Sequence, residues 1–142
     1  MSDVGGVVGR ARVRVRYAET DQMGVVYHAN YLVWFEVGRV EFIRQLGLDY
    51  KAMEREEGCG IAVVDAHVRY RAPARYDDEL EVEVRLVGAR GAVVKFGYRV
   101  VRLADGVLLC EGETVHVVVG PDMKKRSLPH KYAERFAACL IS

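Results

Sequence analysis

Residues 30–46 read NYLVWFEVGRVEFIRQL, a run that is apolar over most of its positions. Its bulky or small apolar members recur at steps of three and four residues, the period of an α-helix: Tyr31, Trp34, Phe35, Gly38 and Phe42. A helix that is apolar almost all round is typical of a buried element. The run therefore predicts a long central helix, and Gly47 is well placed to end it.

Strand-like runs lie on both sides of this helix. The clearest is 79–87, where Leu80, Val82 and Val84 alternate with charged residues at the period of a strand. The other predicted strands cover residues 12–17, 61–70, 92–103 and 107–119. Glycine-containing turns are expected at 88–91 and 104–106. This order favours an α+β fold in which a curved antiparallel sheet of about five strands wraps around the central helix.

The remaining segments fit one domain spanning residues 1–142. Residues 1–9 are glycine-rich and are predicted to be a flexible N-terminus. Residues 48–58 predict a short polar helix or a loop, and residues 129–140 predict a terminal helix. The chain has 142 residues, which is long enough to bury a core, and it is 51% hydrophobic and 29% charged. We find no internal repeat, low-complexity segment or second domain.

Composition argues against several classes of partner. A net charge of +1 gives no long-range field that would recruit nucleic acid, and three alternating arginines at 12, 14 and 16 make a poor phosphate track. No stretch approaches the roughly 20 apolar residues of a membrane span. No secretory signal is evident. The three cysteines are odd in number and far apart, so we expect reduced, packed thiols in a cytoplasmic protein.

The most informative polar residue stands at the junction of the first strand and the helix. Residues 17–31 read YAETDQMGVVYHANY, and Asp21 is the carboxylate nearest the predicted helix start. Unpaired backbone N–H groups and the helix dipole favour negative charge there, and the same groups could polarise a substrate carbonyl. The structural alternative is that Asp21 merely caps the helix. The four histidines are scattered, without metal-ligand spacing, so no metal is predicted.

The run DQMGVVYHANYLVW, residues 21–34, resembles the signature of the hotdog-fold acyl-CoA thioesterases of the 4-hydroxybenzoyl-CoA thioesterase type, which include small bacterial Tol-Pal-associated thioesterases. The resemblance continues through FEVGR, residues 35–39, and resumes at YRAPARYDDEL, residues 70–80. It implies a hotdog domain that hydrolyses a short or medium aliphatic, or an aromatic, acyl-CoA. Coenzyme A would be part of the substrate, and no separate cofactor is expected.

The resemblance also implies roles for individual residues. Asp21 would be a nucleophile or a general base, two roles that the sequence does not separate. The backbone N–H of His28 would stabilise the oxyanion, while its imidazole is as well suited to orienting water as to a structural role. Further candidates for contacting substrate or shaping its approach are Gly24, Val25, Tyr27, Asn30 and Tyr31. Of these, Asn30 could equally fix the loop, and Tyr31 fits the core better.

Coenzyme A carries phosphates, and relatives place basic residues on the loop between the middle strands to bind them. Arg90 alone occupies that loop here. Relatives form dimers that assemble into tetramers, with active sites at the interface, so a homodimer or homotetramer is expected. Two other functions remain open: a hotdog dehydratase, which His28 near Asp21 would suit, and a non-catalytic acyl-CoA binding module, which would not need Asp21.

Overall fold

The computed structural model describes residues 7–140. In chain order the elements are β1 (Val8–Arg14), a short 3-10 turn (Tyr17–Glu19), α1 (Asn30–Gln45), α2 (Tyr50–Glu57), β2 (Gly60–Tyr70), β3 (Glu79–Arg90), β4 (Val93–Arg102), β5 (Leu108–Val119) and α3 (His130–Leu140). The predicted α+β class is confirmed. The five strands form one sheet in the order β1-β3-β4-β5-β2, and every neighbouring pair is antiparallel.

The core lies between α1 and the inner face of this sheet. Phe35 stacks on Tyr98 of β4 with ring centroids 4.1 Å apart, and Phe42 meets Phe96 edge to face. Gly38 lets α1 approach β3, since a Cβ there would lie 2.7 Å from the side chains of both Val82 and Val84. The three cysteines are buried and unpaired, as their spacing predicts.

Within residues 7–140, only one face of α1 is covered. Its buried residues include Tyr31 and Trp34, whereas Leu32, Val33 and Val37 are 41%, 52% and 42% exposed. The prediction of a helix buried nearly all round is therefore wrong for a single chain. The pattern did detect an apolar helix, but the period cannot distinguish a face covered by the chain's own sheet from a face left open.

The predicted flexible N-terminus is partly wrong. Residues 1–6 lie outside the described residues, but Val8 and Gly9 belong to β1, which ends at Arg14 instead of residue 17. Gly9 is needed for packing, because a Cβ there would lie 2.5 Å from the Phe42 ring. The glycine signals a close approach to α1, whereas composition alone indicated flexibility.

The hairpin between β3 and β4 is also tighter than predicted. β3 continues to Arg90, which pairs with Val93, so the connection is reduced to Gly91 and Ala92. Gly91 has φ +63°, a backbone conformation that glycine adopts without strain. Gly47 ends α1 with φ +81°, as predicted. Within residues 7–140, none of the helices is long and apolar enough to cross a membrane.

Candidate active site

Asp21 lies in a closed loop just before α1. Thr20 and Val26 form an isolated antiparallel bridge, and the Asp21 N–H donates to the Val25 carbonyl at 2.9 Å. The Gly24 N–H returns to the Asp21 carbonyl at 2.9 Å, and Gly24 has φ +80°, which the turn requires. One carboxylate oxygen, Oδ1, accepts the Met23 N–H at 2.9 Å. The loop thus fixes Asp21, which is half-buried, and backbone groups of Gly24 and Val25 close the loop.

The start of α1 carries no capping side chain. Its first three N–H groups are satisfied by carbonyls three residues back: Asn30 by Tyr27 at 2.9 Å, Tyr31 by His28 at 3.4 Å and Leu32 by Ala29 at 3.2 Å. The N-cap residue Ala29 has no side-chain acceptor. Among the described residues, the N–H groups of His28 and Ala29 have no hydrogen-bond partner. Two adjacent donors are therefore open at the positive end of the helix.

Glu19 joins the loop of Asp21 to the helix start through its side chain and its backbone carbonyl. Its side chain is 6% exposed. One carboxylate oxygen accepts the Arg16 N–H at 2.8 Å, and the other accepts the Trp34 indole N–H at 3.2 Å. The Glu19 backbone carbonyl accepts the N–H of Tyr27 and the side-chain amide of Asn30, both at 2.9 Å. Glu19 therefore ties the loop of Asp21 to the first turns of α1.

The contacts of the other predicted residues show which of them hold the structure together and which are exposed. Asn30 uses its amide to hold the Glu19 carbonyl, which matches the loop-fixing alternative. Tyr31 is 2% exposed and its hydroxyl accepts the Ala74 N–H at 3.1 Å, so it is mainly a core residue. The side chains of Tyr27 and His28 are exposed, with ring centroids 4.6 Å apart. These two rings are available to a ligand.

A depression of about 270 Å³ opens beside the helix start. It is lined by Val26, His28, Tyr31, Tyr70, Arg71, Ala72 and Pro73. Larger depressions lie elsewhere among residues 7–140, at about 380 Å³ on the outer face of the sheet, 340 Å³ between α1, α2 and β2, and 290 Å³ between α2 and the end of β5. None of these is lined by Asp21 or His28. We favour the smaller one as half of a binding site because it lies beside the open N–H of His28.

Arg90 is not brought to this site within one chain. Arg14 pairs with Glu79 at the beginning of β3, near the loop of Asp21, whereas Arg90 ends the same strand. Eleven steps of about 3.3 Å separate the two ends of β3 by roughly 36 Å. An Arg90 that serves this Asp21 must therefore come from another copy of the chain.

A second polar cluster is buried in the core. Arg39 donates to the Tyr98 hydroxyl at 3.0 Å, Tyr98 and the Thr114 hydroxyl lie 2.6 Å apart, and Thr114 lies 2.7 Å from His116 Nε2. His116 is completely buried. Burial, followed by the positive charge of Arg39, lowers the pKa of His116 to about 4. The ring is therefore neutral at physiological pH, and nothing in this arrangement exposes it to a substrate.

The chain is similar in sequence to known proteins over most of its length. A family model described as the thioesterase-like superfamily matches residues 15–136. The chain is 40% identical over 118 residues to a putative acyl-CoA thioesterase, YneP, from Bacillus subtilis, covering 83% of this chain and 84% of the relative. It is 39% identical over 125 residues to the acyl-CoA thioester hydrolase YbgC from Escherichia coli, covering 87% of this chain and 92% of the relative.

Solved structures give the same result. The crystal structure of hypothetical protein TT1821 from Thermus thermophilus superposes with a TM-score of 0.87 at 38% sequence identity, covering 92% of this chain and 98% of that one. The family match over residues 15–136 includes the loop of Asp21, α1 and strands β2 to β5.

Proposed function

The chain belongs to the thioesterase-like superfamily, and from this premise we propose that it is a thioester hydrolase that converts a short or medium aliphatic, or an aromatic, acyl-CoA to the free acid and CoA. Membership confirms the resemblance carried by residues 21–34. The observation that carries the proposal is local. A fixed carboxylate, Asp21, precedes an uncapped helix start where the N–H of His28 is open. Both named relatives are acyl-CoA thioester hydrolases by name.

In this proposal Asp21 supplies the attack on the thioester carbonyl. Either its carboxylate bonds to the carbonyl carbon, CoA leaves as a thiolate and water cleaves the resulting anhydride, or the carboxylate removes a proton from an attacking water. Support comes from the loop, since Oδ1 is held by the Met23 N–H while Oδ2 has no partner among residues 7–140. An oriented carboxylate with one open oxygen suits either route.

The His28 N–H would stabilise the charge that develops on the substrate oxygen. A fixed backbone donor at a helix N-terminus can do this without reorganising during the reaction. The exposed rings of Tyr27 and His28 would flank the acyl group, and Gly24 and Val25 would shape its approach. Asn30 and Tyr31 would act from behind by holding the helix start. No cofactor is needed for these steps.

We further propose that the working enzyme is a homodimer that assembles into a homotetramer. Leu32, Val33 and Val37 on α1 and Val63 and Val64 on β2 leave a broad apolar surface open. β2 is also an edge strand, with backbone groups free to pair with a second copy. Such an assembly would let Arg90 of one copy bind a CoA phosphate near the Asp21 of another.

Light scattering tests the assembly. We expect Val37→Glu to shift the chain towards monomer and lower its turnover, because a charge would then lie in the apolar contact. Val7→Glu, at another exposed valine, serves as the matched control and should leave the mass unchanged. A wild-type monomer that is fully active would contradict the proposed assembly.

Thiol release tests the reaction itself. Wild type, Asp21→Asn and Asp122→Asn would be assayed on acyl-CoAs from acetyl to palmitoyl, together with benzoyl, 4-hydroxybenzoyl and phenylacetyl. Asp122 is a matched control because its Oδ1 accepts the N–H two residues on, as that of Asp21 does. We expect Asp21→Asn to lose at least roughly 100-fold in turnover and Asp122→Asn to lose little. If no substrate releases thiol, the CoA proposal fails, and carrier-protein thioesters, dehydration or ligand binding would have to be tested.

A further inference from the structure

Tyr70 links the end of β2 to the start of α1. Its hydroxyl donates to the backbone carbonyl of His28 at 2.8 Å, across 42 residues of sequence. Tyr70 is the last residue of β2 and pairs with Cys110 of β5, so the sheet fixes its backbone. Its ring packs edge to face against Tyr31, with centroids 5.2 Å apart. Burial, the largest cause, raises the pKa of Tyr70, so the hydroxyl remains protonated and able to donate.

The carbonyl that Tyr70 binds belongs to the same peptide group as the open N–H of Ala29. A trans peptide is planar, with its C=O and N–H pointing in opposite directions, so fixing the carbonyl also fixes the N–H. A hydrogen bond accepted by the carbonyl polarises the group and makes the N–H a stronger donor. The preceding peptide is arranged in the same way, because the Tyr27 carbonyl accepts the Asn30 N–H while the His28 N–H is open.

We propose that Tyr70 is a positioning residue for the hydrolysis, and that its hydroxyl orients and polarises the His28–Ala29 peptide so that Ala29 supplies a second N–H to the substrate oxyanion. This inference rests on the proposed thioesterase function. A donor that stabilises an oxyanion is effective only when it is held in place before the charge develops. The His28 carbonyl also accepts the Tyr31 N–H at 3.4 Å, and Tyr70 adds a shorter bond of 2.8 Å to it from a rigid strand, outside the loop that carries Asp21.

The helix start has other attachments that do not involve this hydroxyl. The Val26 N–H donates to the Ala74 carbonyl at 2.9 Å, and the Ala74 N–H donates to the Tyr31 hydroxyl at 3.1 Å. Tyr70→Phe keeps the ring and its contact with Tyr31 while removing only the hydroxyl. The variant is therefore expected to fold, and its effect can be assigned to the His28–Ala29 peptide.

The first test compares steady-state kinetics of wild type, Tyr70→Phe and Tyr76→Phe on the best acyl-CoA. We expect Tyr70→Phe to lower kcat about tenfold with KM changed less than twofold, since the donor acts on the transition state. Tyr76 is 59% exposed and its hydroxyl has no partner among the described residues, so Tyr76→Phe should behave as wild type.

A spectroscopic test separates positioning from general support of the fold. Benzoyl-CoA would be bound to Asp21→Asn, with and without Tyr70→Phe, and the thioester C=O stretch recorded by isotope-edited infrared difference. We expect a shift to lower frequency in Asp21→Asn that is reduced when Tyr70→Phe is added. An unchanged stretch, or an unchanged kcat, would overturn the role of Tyr70 while leaving the thioesterase proposal intact. Failure of wild type to hydrolyse any acyl-CoA would overturn both.

Discussion

Two polar clusters of this protein differ in what they leave open. At the start of α1, Asp21 has a free carboxylate oxygen, and the N–H groups of His28 and Ala29 have no partner within residues 7–140. In the core, hydrogen bonds join Tyr98, Thr114 and His116 in a buried chain. The helix start therefore keeps unused bonding capacity that a ligand can reach. In the core chain, His116 Nδ1 has no partner within residues 7–140, but it is completely buried.

In the proposed mechanism, the groups with the most shifted pKa values take no part. The most displaced values belong to buried groups: the pKa of His116 is lowered to about 4 and that of Cys110 is raised to about 12, both mainly by burial. Neither side chain is exposed to a substrate. We chose the candidate site by its unpaired hydrogen-bonding groups, which the loop and the helix start hold in place, and not by shifted pKa values.

Removing the Glu19 side chain, which lies beneath the helix start, should have the largest effect on stability. Glu19→Ala would leave the Trp34 indole N–H and the Arg16 N–H without their acceptors. At about 1–3 kcal/mol for each of the two unsatisfied groups, we expect the free energy of unfolding to fall by roughly 2–6 kcal/mol, together with a loss of activity. Urea denaturation of this variant and of wild type measures the change.

The matched control is Glu134→Ala, because that side chain is 70% exposed and its one ion pair within residues 7–140 is with His130 in the same helix. We expect it to change stability by about 0.5 kcal/mol or less. Equal losses in the two variants would contradict the central role given to Glu19.

The buried hydrogen bonds that join Tyr98, Thr114 and His116 should make the stability of the fold sensitive to acid. The pKa of His116 is about 4 in the folded chain and near its ordinary value of 6.5 when unfolded. The unfolded state therefore binds more protons, and stability is lost as the pH falls from about 6.5 to about 4. Across this pH range, the free energy of unfolding falls by about 3 kcal/mol.

Urea denaturation at several pH values tests this. We expect His116→Gln, which cannot titrate, to remove this part of the acid sensitivity while turnover per folded molecule stays near that of wild type. His130→Gln is the control, since the His130 side chain is 87% exposed. If the free energy of unfolding changed with pH in the same way in wild type and His116→Gln, His116 would not be a source of the acid sensitivity.

The smallest expected effect is that of the His28 side chain. If His28 acts through its backbone N–H, His28→Ala keeps the donor and should lower kcat less than about tenfold, a loss of under 1.4 kcal/mol. Steady-state thiol release measures it. A loss as large as that of Asp21→Asn would instead give the imidazole a direct part in the reaction.

Sequence patterns predicted most of the fold because its signals are local. The alternation in residues 79–87 predicted β3, and the three- and four-residue steps of 30–46 predicted α1, which spans Asn30–Gln45. The pattern failed where a residue's meaning depends on a distant partner. Gly9 is a strand residue because Phe42 packs against it, and Arg90 lies in a strand because Val93 pairs with it.

The candidate site shows the same division. Asp21, Gly24 and His28 could be found from one run of sequence because they share one loop and helix start. Tyr70 could not, since its contact with His28 exists only after β2 and α1 have packed. Glu19 has a charged side chain, and only the fold reveals that it is buried between Arg16 and Trp34.

The most direct test of the account is the single-turnover rate of Asp21→Asn with enzyme in excess over acyl-CoA. Under these conditions the substrate is bound, so the rate reports the chemical step without product release. We expect a rate at least roughly 100-fold below that of wild type, with acyl-CoA affinity and unfolding temperature retained. A single-turnover rate near that of wild type would contradict the claim that the open carboxylate before α1 carries out the reaction.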